Sequence, residues 1–274
     1  MNASDKRKLP IGVFDSGLGG LTALSELHNL MPNEDIIYFG DSARIPYGTK
    51  SPSVIRKFAL QDARFLLSKN VKAILVACGT VSSNCIEDVR RETGLPVVGV
   101  IDSAAKDASE VAKKGNKRVT VLGTSATIKS KAFENALKNE GIDDIIPVAC
   151  PMFVPLVEYW NPSIDDEATN AVVSEYLSEV ARLKPDSAIL GCTHYPLLFD
   201  VIQKHLPNTK LISSGESAAN ALKEELVVLG LDNNSGGRVE YFTSDDASLF
   251  ASNAKKFLKG GLDGNISHID IEKY

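Results

Sequence analysis

Ala73-Ile-Leu-Val-Ala-Cys78-Gly-Thr80 and Ala188-Ile-Leu-Gly-Cys192-Thr193-His194 are the two stretches that decide the fold of this chain. Each begins as the apolar run that a strand buried on both faces requires, ends in cysteine, and passes directly into a polar turn with a hydroxyl within two positions. In an open α/β sheet the carboxyl ends of the strands are where ligands bind. Two thiols in matched positions of that kind point to a paired acid/base site.

Each thiol is preceded by an earlier strand ending in a small polar turn. Ile11-Gly-Val-Phe-Asp15-Ser16-Gly17 is answered by Val119-Thr-Val-Leu-Gly123-Thr124-Ser125, at nearly the spacing of 114 positions that separates the cysteines. Any doubly wound protein repeats strand, turn and helix. The matched thiols go further and suggest an internal repeat, two similar α/β units facing each other.

Apolar strand patterns fall near 10–14, 35–40, 72–77, 97–101, 118–122, 145–149, 186–190, 209–213, 238–242 and 267–271, with amphipathic helix patterns between most of them. The expected fold is α/β, two similar units facing each other with largely parallel sheets flanked by helices. Gly94 and Gly141 are expected to stop helices, and the Ser82-Ser83-Asn84 stretch and Pro196 to start them. Boundaries fall near 100–104 and 211–216.

Composition narrows the class. A chain of 274 residues, 43% hydrophobic and 24% charged, has the make-up of a soluble globular protein with room for two cores. A formal charge of −5 argues against a nucleic-acid surface, and the one dense basic run, Lys6-Arg7-Lys8, reads as a frayed tip. No apolar segment follows that tip and none approaches a membrane span, so a cytoplasmic protein is expected. The four cysteines, Cys78, Cys85, Cys150 and Cys192, lack zinc or disulfide spacing, and Cys85 and Cys150 read as small buried hydrophobes.

Two loops complete the candidate site. Asp15-Ser-Gly17-Leu-Gly19-Gly20-Leu-Thr22 has Thr22 where a dinucleotide fingerprint needs glycine and lacks the Gly-Lys-Ser/Thr of a P-loop. It either caps the following helix through Asp15 or Ser16 or offers N–H groups to a small anion. Tyr38-Phe-Gly-Asp41-Ser-Ala-Arg44-Ile-Pro46-Tyr47-Gly48-Thr49-Lys50 has the make-up of a binding loop, with Arg44 and Lys50 read as solvated charges.

Taken in order, Asp15-Ser-Gly-Leu-Gly-Gly20, Asp41-Ser-Ala-Arg-Ile-Pro-Tyr-Gly48, Ala77-Cys-Gly-Thr80, Cys150-Pro-Met-Phe-Val-Pro-Leu-Val-Glu158 and Gly191-Cys-Thr-His-Tyr-Pro196 resemble the motifs of bacterial glutamate racemase, over about residues 10–220. The resemblance implies a cofactor-independent, metal-free amino-acid racemase of two pseudo-symmetric domains, with the active site in the cleft between them and a C-terminal segment that completes the first domain. The domains are then 1–101 plus 214–274, carrying Asp15 and Cys78, and 102–213, carrying Cys192. The implied partner is a small-molecule substrate, glutamate, for peptidoglycan synthesis, with no nucleic acid and no membrane; the family is often dimeric, which leaves a homodimer open.

The chemistry accounts for the two thiols. Inverting an α-carbon requires a base on one face and an acid on the other, and a thiolate and thiol that exchange roles serve both directions. A helix N-terminus after each strand is expected to lower the thiol pKa from its usual ~8.5. By resemblance, Cys192 deprotonates L-glutamate and Cys78 D-glutamate, with Asp15, His194 and Glu158 as auxiliary catalytic groups. Asp15, Ser16, Tyr47, Gly48, Gly79, Thr80, Thr193 and His194 match the substrate contacts.

Gly79 departs from the asparagine usual in the family, so a side-chain amide is missing. Gly79→Asn is expected to leave turnover in place and change the Michaelis constant. Aspartate racemases and related enzymes keep a cysteine pair on the same architecture, which leaves aspartate or another amino acid as an alternative substrate. A thiol hydrolase using His194 as base is a further alternative, though it gives the second thiol no role.

Overall fold

The computed structural model describes residues 3–160, 162–258, 262 and 264–274. Ten strands form two parallel sheets among these residues: β1 (Ile11–Asp15), β2 (Ile36–Gly40), β3 (Ala73–Val76), β4 (Val97–Gly99), β5 (Arg118–Gly123), β6 (Asp144–Ala149), β7 (Ser187–Leu190), β8 (Lys210–Ser213), β9 (Val239–Thr243) and β10 (Ile266–His268). The first sheet has the order β10-β9-β2-β1-β3-β4 and the second β6-β5-β7-β8. The block 2-1-3-4 of the first sheet is therefore repeated as 6-5-7-8 in the second. Cys78 follows the third strand of one block and Cys192 the third strand of the other.

The strands form where expected because parallel strands covered on both faces must be apolar throughout. In β3, Ala73 and Leu75 enter one apolar cluster while Ile74 and Val76 enter another, the period of two that sends neighbouring side chains to opposite faces. Each such fully buried aliphatic side chain stabilises the fold by about 1.5–3 kcal/mol. Pro147 is tolerated in β6 because that strand is the edge of its sheet. The last strand ends at His268, and Ile271–Lys273 turns in a short 3-10 helix, so the expected strand 267–271 is shorter and shifted.

In chain order the helices are α1 (Ala3–Arg7), α2 (Leu21–Leu30), α3 (Pro52–Ser68), α4 (Gly79–Thr93), α5 (Ile101–Ala112), α6 (Ser125–Ser130), α7 (Ala132–Asn139), α8 (Phe153–Tyr159), α9 (Glu167–Leu183), α10 (Phe199–His205), α11 (Ser214–Leu229) and α12 (Ala247–Ala254). Gly94 ends α4 and Gly141 follows α7, both with positive φ, as glycine at those stops allows. Ala104, Ala105, Ala108 and Ala112 form the buried face of α5. Their small size lets α5 and α11 carry one continuous apolar cluster from β1 and β3 into β5 and β7.

Three expectations change. The basic tip is not frayed: α1 forms, Arg7 Nε donates to Gly230 O at 2.6 Å, and buried Lys72 Nζ donates to Arg7 O at 2.7 Å. Arg44 is not solvated, because Asp41 and Asp62 hold its guanidinium at 2.6 and 3.0 Å with only 11% of its side chain exposed. Finally, α4 begins at Gly79, ahead of the Ser82-Ser83-Asn84 signal, so Cys78 itself is the N-cap. No helix among the described residues is long and apolar enough to cross a membrane.

Candidate active site

The two cysteine turns meet at a cavity of about 220 Å³ between the sheets. Ser16, Tyr47, Gly48, Cys78, Gly79 and Thr80 line it from the ends of β1 to β3, while Glu158, Cys192, Thr193 and His194 line it from the second sheet's side. A larger open groove of about 1550 Å³ contains neither thiol. The smaller cavity is therefore the candidate site, since acid/base chemistry needs the titratable pair.

Asp15 is the one expected site residue that does not reach the cavity wall. It is fully buried behind it, where Oδ2 accepts from Gly17 N at 3.1 Å and Gly20 N at 3.0 Å while Oδ1 has no hydrogen-bond partner. Burial raises its pKa, against the lowering effects of His194 and the N–H groups of Gly20, Gly17 and Ser16. The turn thus uses Asp15 to order its own backbone. Tyr47 lines the cavity, but its hydroxyl contacts buried Asp41 and, at 3.1 Å, Asp62. Its hydroxyl is thus engaged away from a substrate.

Cys78 Sγ donates to Ser16 Oγ at 3.5 Å. Burial pushes this thiol up to about 12, the nearby Asp15 carboxylate adds to the rise, and the Ser16 contact only partly opposes it. The expected depression by a helix N-terminus is outweighed, because partial charges of about half a unit do not replace lost water in a closed cavity.

Cys192 has a different setting. Its Sγ lies 3.8 Å from His194 Nδ1, and His194 Nε2 lies 2.9 Å from Glu158 Oε1. Burial alone would lower the imidazole pKa, but hydrogen bonding to Cys192 and Glu158 outweighs it and raises His194 to about 10. Phe257 stands edge-on to the imidazole at 5.4 Å, and Thr22 Oγ1 donates to Thr193 O at 3.0 Å, so the turn is braced on both sides. A 3-10 turn, Tyr195–Leu198, follows rather than an α-helix.

The residue that sequence reasoning missed is Thr124. Its Oγ1 lies 3.1 Å from Thr80 Oγ1 and 3.0 Å from Thr127 Oγ1, a chain of hydroxyls of which Thr80 and Thr124 line the cavity. The signal was available, because Gly123-Thr124-Ser125 is the repeat's counterpart of the Asp15-Ser16 turn. Cys85 and Cys150 are buried free thiols, and Cys150 also borders the cavity.

Comparison with known proteins agrees with this geometry. The family model for Asp/Glu/Hydantoin racemase matches residues 21–222. The glutamate racemase of Geobacter metallireducens is 40% identical over 96% of this chain and 97% of its own length, and that of Aquifex aeolicus is 42% identical over 88% and 91%. The crystal structure of glutamate racemase from Francisella tularensis in complex with D-glutamate superposes with a TM-score of 0.89 at 35% identity, covering 98% of this chain and 100% of that one. With its matched thiols on a repeated parallel sheet, the chain belongs to the Asp/Glu/Hydantoin racemase family and, within it, to the glutamate racemases.

Proposed function

We propose that this protein interconverts L-glutamate and D-glutamate by a two-base mechanism using Cys192 and Cys78. The observation that carries the reading is the pair of thiols on one small cavity, reached from equivalent strand ends of the two sheets. The relative from Francisella tularensis, whose structure holds D-glutamate, supports glutamate as the substrate.

In the L-to-D direction, Cys192 thiolate removes the α-proton while Cys78 thiol delivers its proton to the opposite face. One C–H bond breaks and one forms, and the two sulfurs exchange protonation states. The electron pair left at Cα is delocalised into the α-carboxylate during the exchange. A protonated His194 beside Cys192 gives its sulfur anion a counter-charge, with Glu158 holding the imidazole. Ser16, Gly79, Thr80 and Thr193 offer hydroxyl and backbone donors to the substrate carboxylates. Asp15 acts from behind the wall, by ordering its turn and by its charge near Cys78.

The same reading makes the product D-glutamate a supply for peptidoglycan synthesis and the enzyme cytoplasmic, with a homodimer as the assembly to test. It divides the chain into lobes 1–101 plus 214–274 and 102–213, which the shared sheet of β1–β4 with β9 and β10 supports.

Purified protein incubated with L-glutamate in deuterium oxide under reducing conditions, without added cofactor, tests the proposal. Loss of the Cα–H resonance with decay of the circular dichroism to zero is the expected result. No exchange with either enantiomer of glutamate, alongside exchange of aspartate, would replace the substrate.

A further inference from the structure

Three glycines of the first lobe stand where the second lobe presses on the cavity. A Cβ built at Gly79 would lie 2.3 Å from the carbonyl oxygen of Gly191, one at Gly19 2.3 Å from Thr193 Oγ1, and one at Gly48 3.0 Å from Thr124 Cβ. None of the three has a positive φ, so space rather than backbone freedom is what glycine supplies here. At Gly48 the approach is only tight, and at Gly19 the atoms met are side-chain ones, the Thr193 hydroxyl and, at 2.6 Å, the His194 ring. The carbonyl of Gly191 has no such freedom, because Gly191 N donates to Leu122 O at 2.8 Å and a Cβ on Gly191 itself would meet Leu122 O and Phe133.

We propose that Gly79 is the closure residue of this enzyme. The absent side chain lets the N-terminus of α4 seat against the backbone of Gly191, one residue before Cys192, and so brings both thiols to one small cavity. Asparagine, the residue of the family pattern, is excluded from this seam. Restored at position 79, it wedges the lobes apart instead of adding a substrate contact. The inference rests on the glutamate reading above for its effect on turnover, and on packing alone for its effect on closure. A two-base inversion needs both sulfurs within reach of one Cα, and misplacement by about 1 Å can cost about 100-fold in rate. The sequence alone predicts a changed Michaelis constant for Gly79→Asn; the seam predicts that kcat falls as well.

Gly79→Ala and Gly79→Asn test this through two readouts. The first is kcat and KM with both glutamate enantiomers, where kcat/KM should fall about tenfold for alanine and about 100-fold for asparagine. The second needs no turnover: alkylation of the native cysteines of unliganded protein by N-ethylmaleimide, resolved by peptide mass spectrometry. Cys78 and Cys192 are 4% and 7% exposed and should react at least about tenfold faster once the seam opens, while Cys85, buried within α4, keeps its rate. A kcat/KM for asparagine above that for alanine would mean that the amide contact outweighs the space, and the proposal would fall. Unchanged alkylation of Cys78 and Cys192 would overturn it, as would a parallel rise at Cys85, which marks general loosening. If the unsubstituted protein does not racemise glutamate but the alkylation pattern appears, the substrate reading fails and the closure role stands.

Discussion

The Cys78 half and the Cys192 half of the site share a scaffold and differ in their charges. Both thiols follow the third strand of a 2-1-3-4 block. Beside Cys78 stands a carboxylate, Asp15, and the thiol is pushed up to about 12; beside Cys192 stands an imidazole raised to about 10 and held by Glu158. The repeat therefore supplies position, and the flanking residues supply protonation state. On the proposed mechanism, Cys78 held as thiol with a cation next to Cys192 is the form ready for L-glutamate. The enantiomers have equal free energy, so kcat/KM is the same in both directions whatever the residues. The asymmetry must appear in kcat and KM taken separately, and in exchange without inversion.

Removing one thiol breaks the comparison most sharply. Cys78→Ala and Cys192→Ala should each lower racemisation by about 10³ to 10⁴, since each loses one acid/base partner. The remaining thiol can still remove and return the α-proton on its own face. In deuterium oxide, Cys78→Ala should wash out the Cα–H of recovered L-glutamate, and Cys192→Ala that of recovered D-glutamate. The second should be slower, because the base is then the thiol beside Asp15. Equal rates would make the two halves equivalent.

His194→Gln removes the cation from one half only. We expect kcat for L-glutamate to fall about 100-fold, with kcat/KM falling equally for both enantiomers. Asp15→Asn removes the anion from the other half. Because Asp15 raises the Cys78 thiol, alkylation of Cys78 at a fixed pH near 8 should speed up about several-fold while that of Cys192 changes less.

The shared scaffold was legible in the sequence for a physical reason. Strands covered on both faces leave continuous apolar runs, and the residue after such a run lies at the mouth of the sheet, which located both cysteines. The charges around them were harder to read because they depend on distant partners. Arg44 looks solvated until Asp62 and Glu272 arrive from 18 and 228 positions away. Asp15 looks like a substrate contact, but the N–H groups of Gly17 and Gly20 turn it inward. The start of α4 was missed because Gly79-Thr80-Val81 carries no capping signal, and packing against the other lobe sets it there. Thr124 lies within the repeat and gains its role only when Thr80 is brought opposite it.

The smallest effect isolates His194 in the fold rather than in turnover. An unfolded histidine loses its proton near pH ~6.5. In the folded protein the imidazole keeps it to about 10. Between those values the native state binds a proton that the unfolded state has released, so stability falls as pH rises. This contribution is complete below about pH 6.5 and lost as pH passes through the folded value. The Cys78, Cys85 and Cys150 thiols, raised by burial, carry the same sign, but their unfolded values near ~8.5 confine them to higher pH. Urea unfolding of the unsubstituted protein and of His194→Gln, from pH 6.5 to 8.5 at constant ionic strength, should therefore show a steeper decline in the former. Glu158→Gln, which removes one of the two partners that raise the imidazole, should lie between them. Parallel profiles for all three proteins would mean that His194 is neutral in the native state, and the cation would have to be removed from the Cys192 half of the comparison.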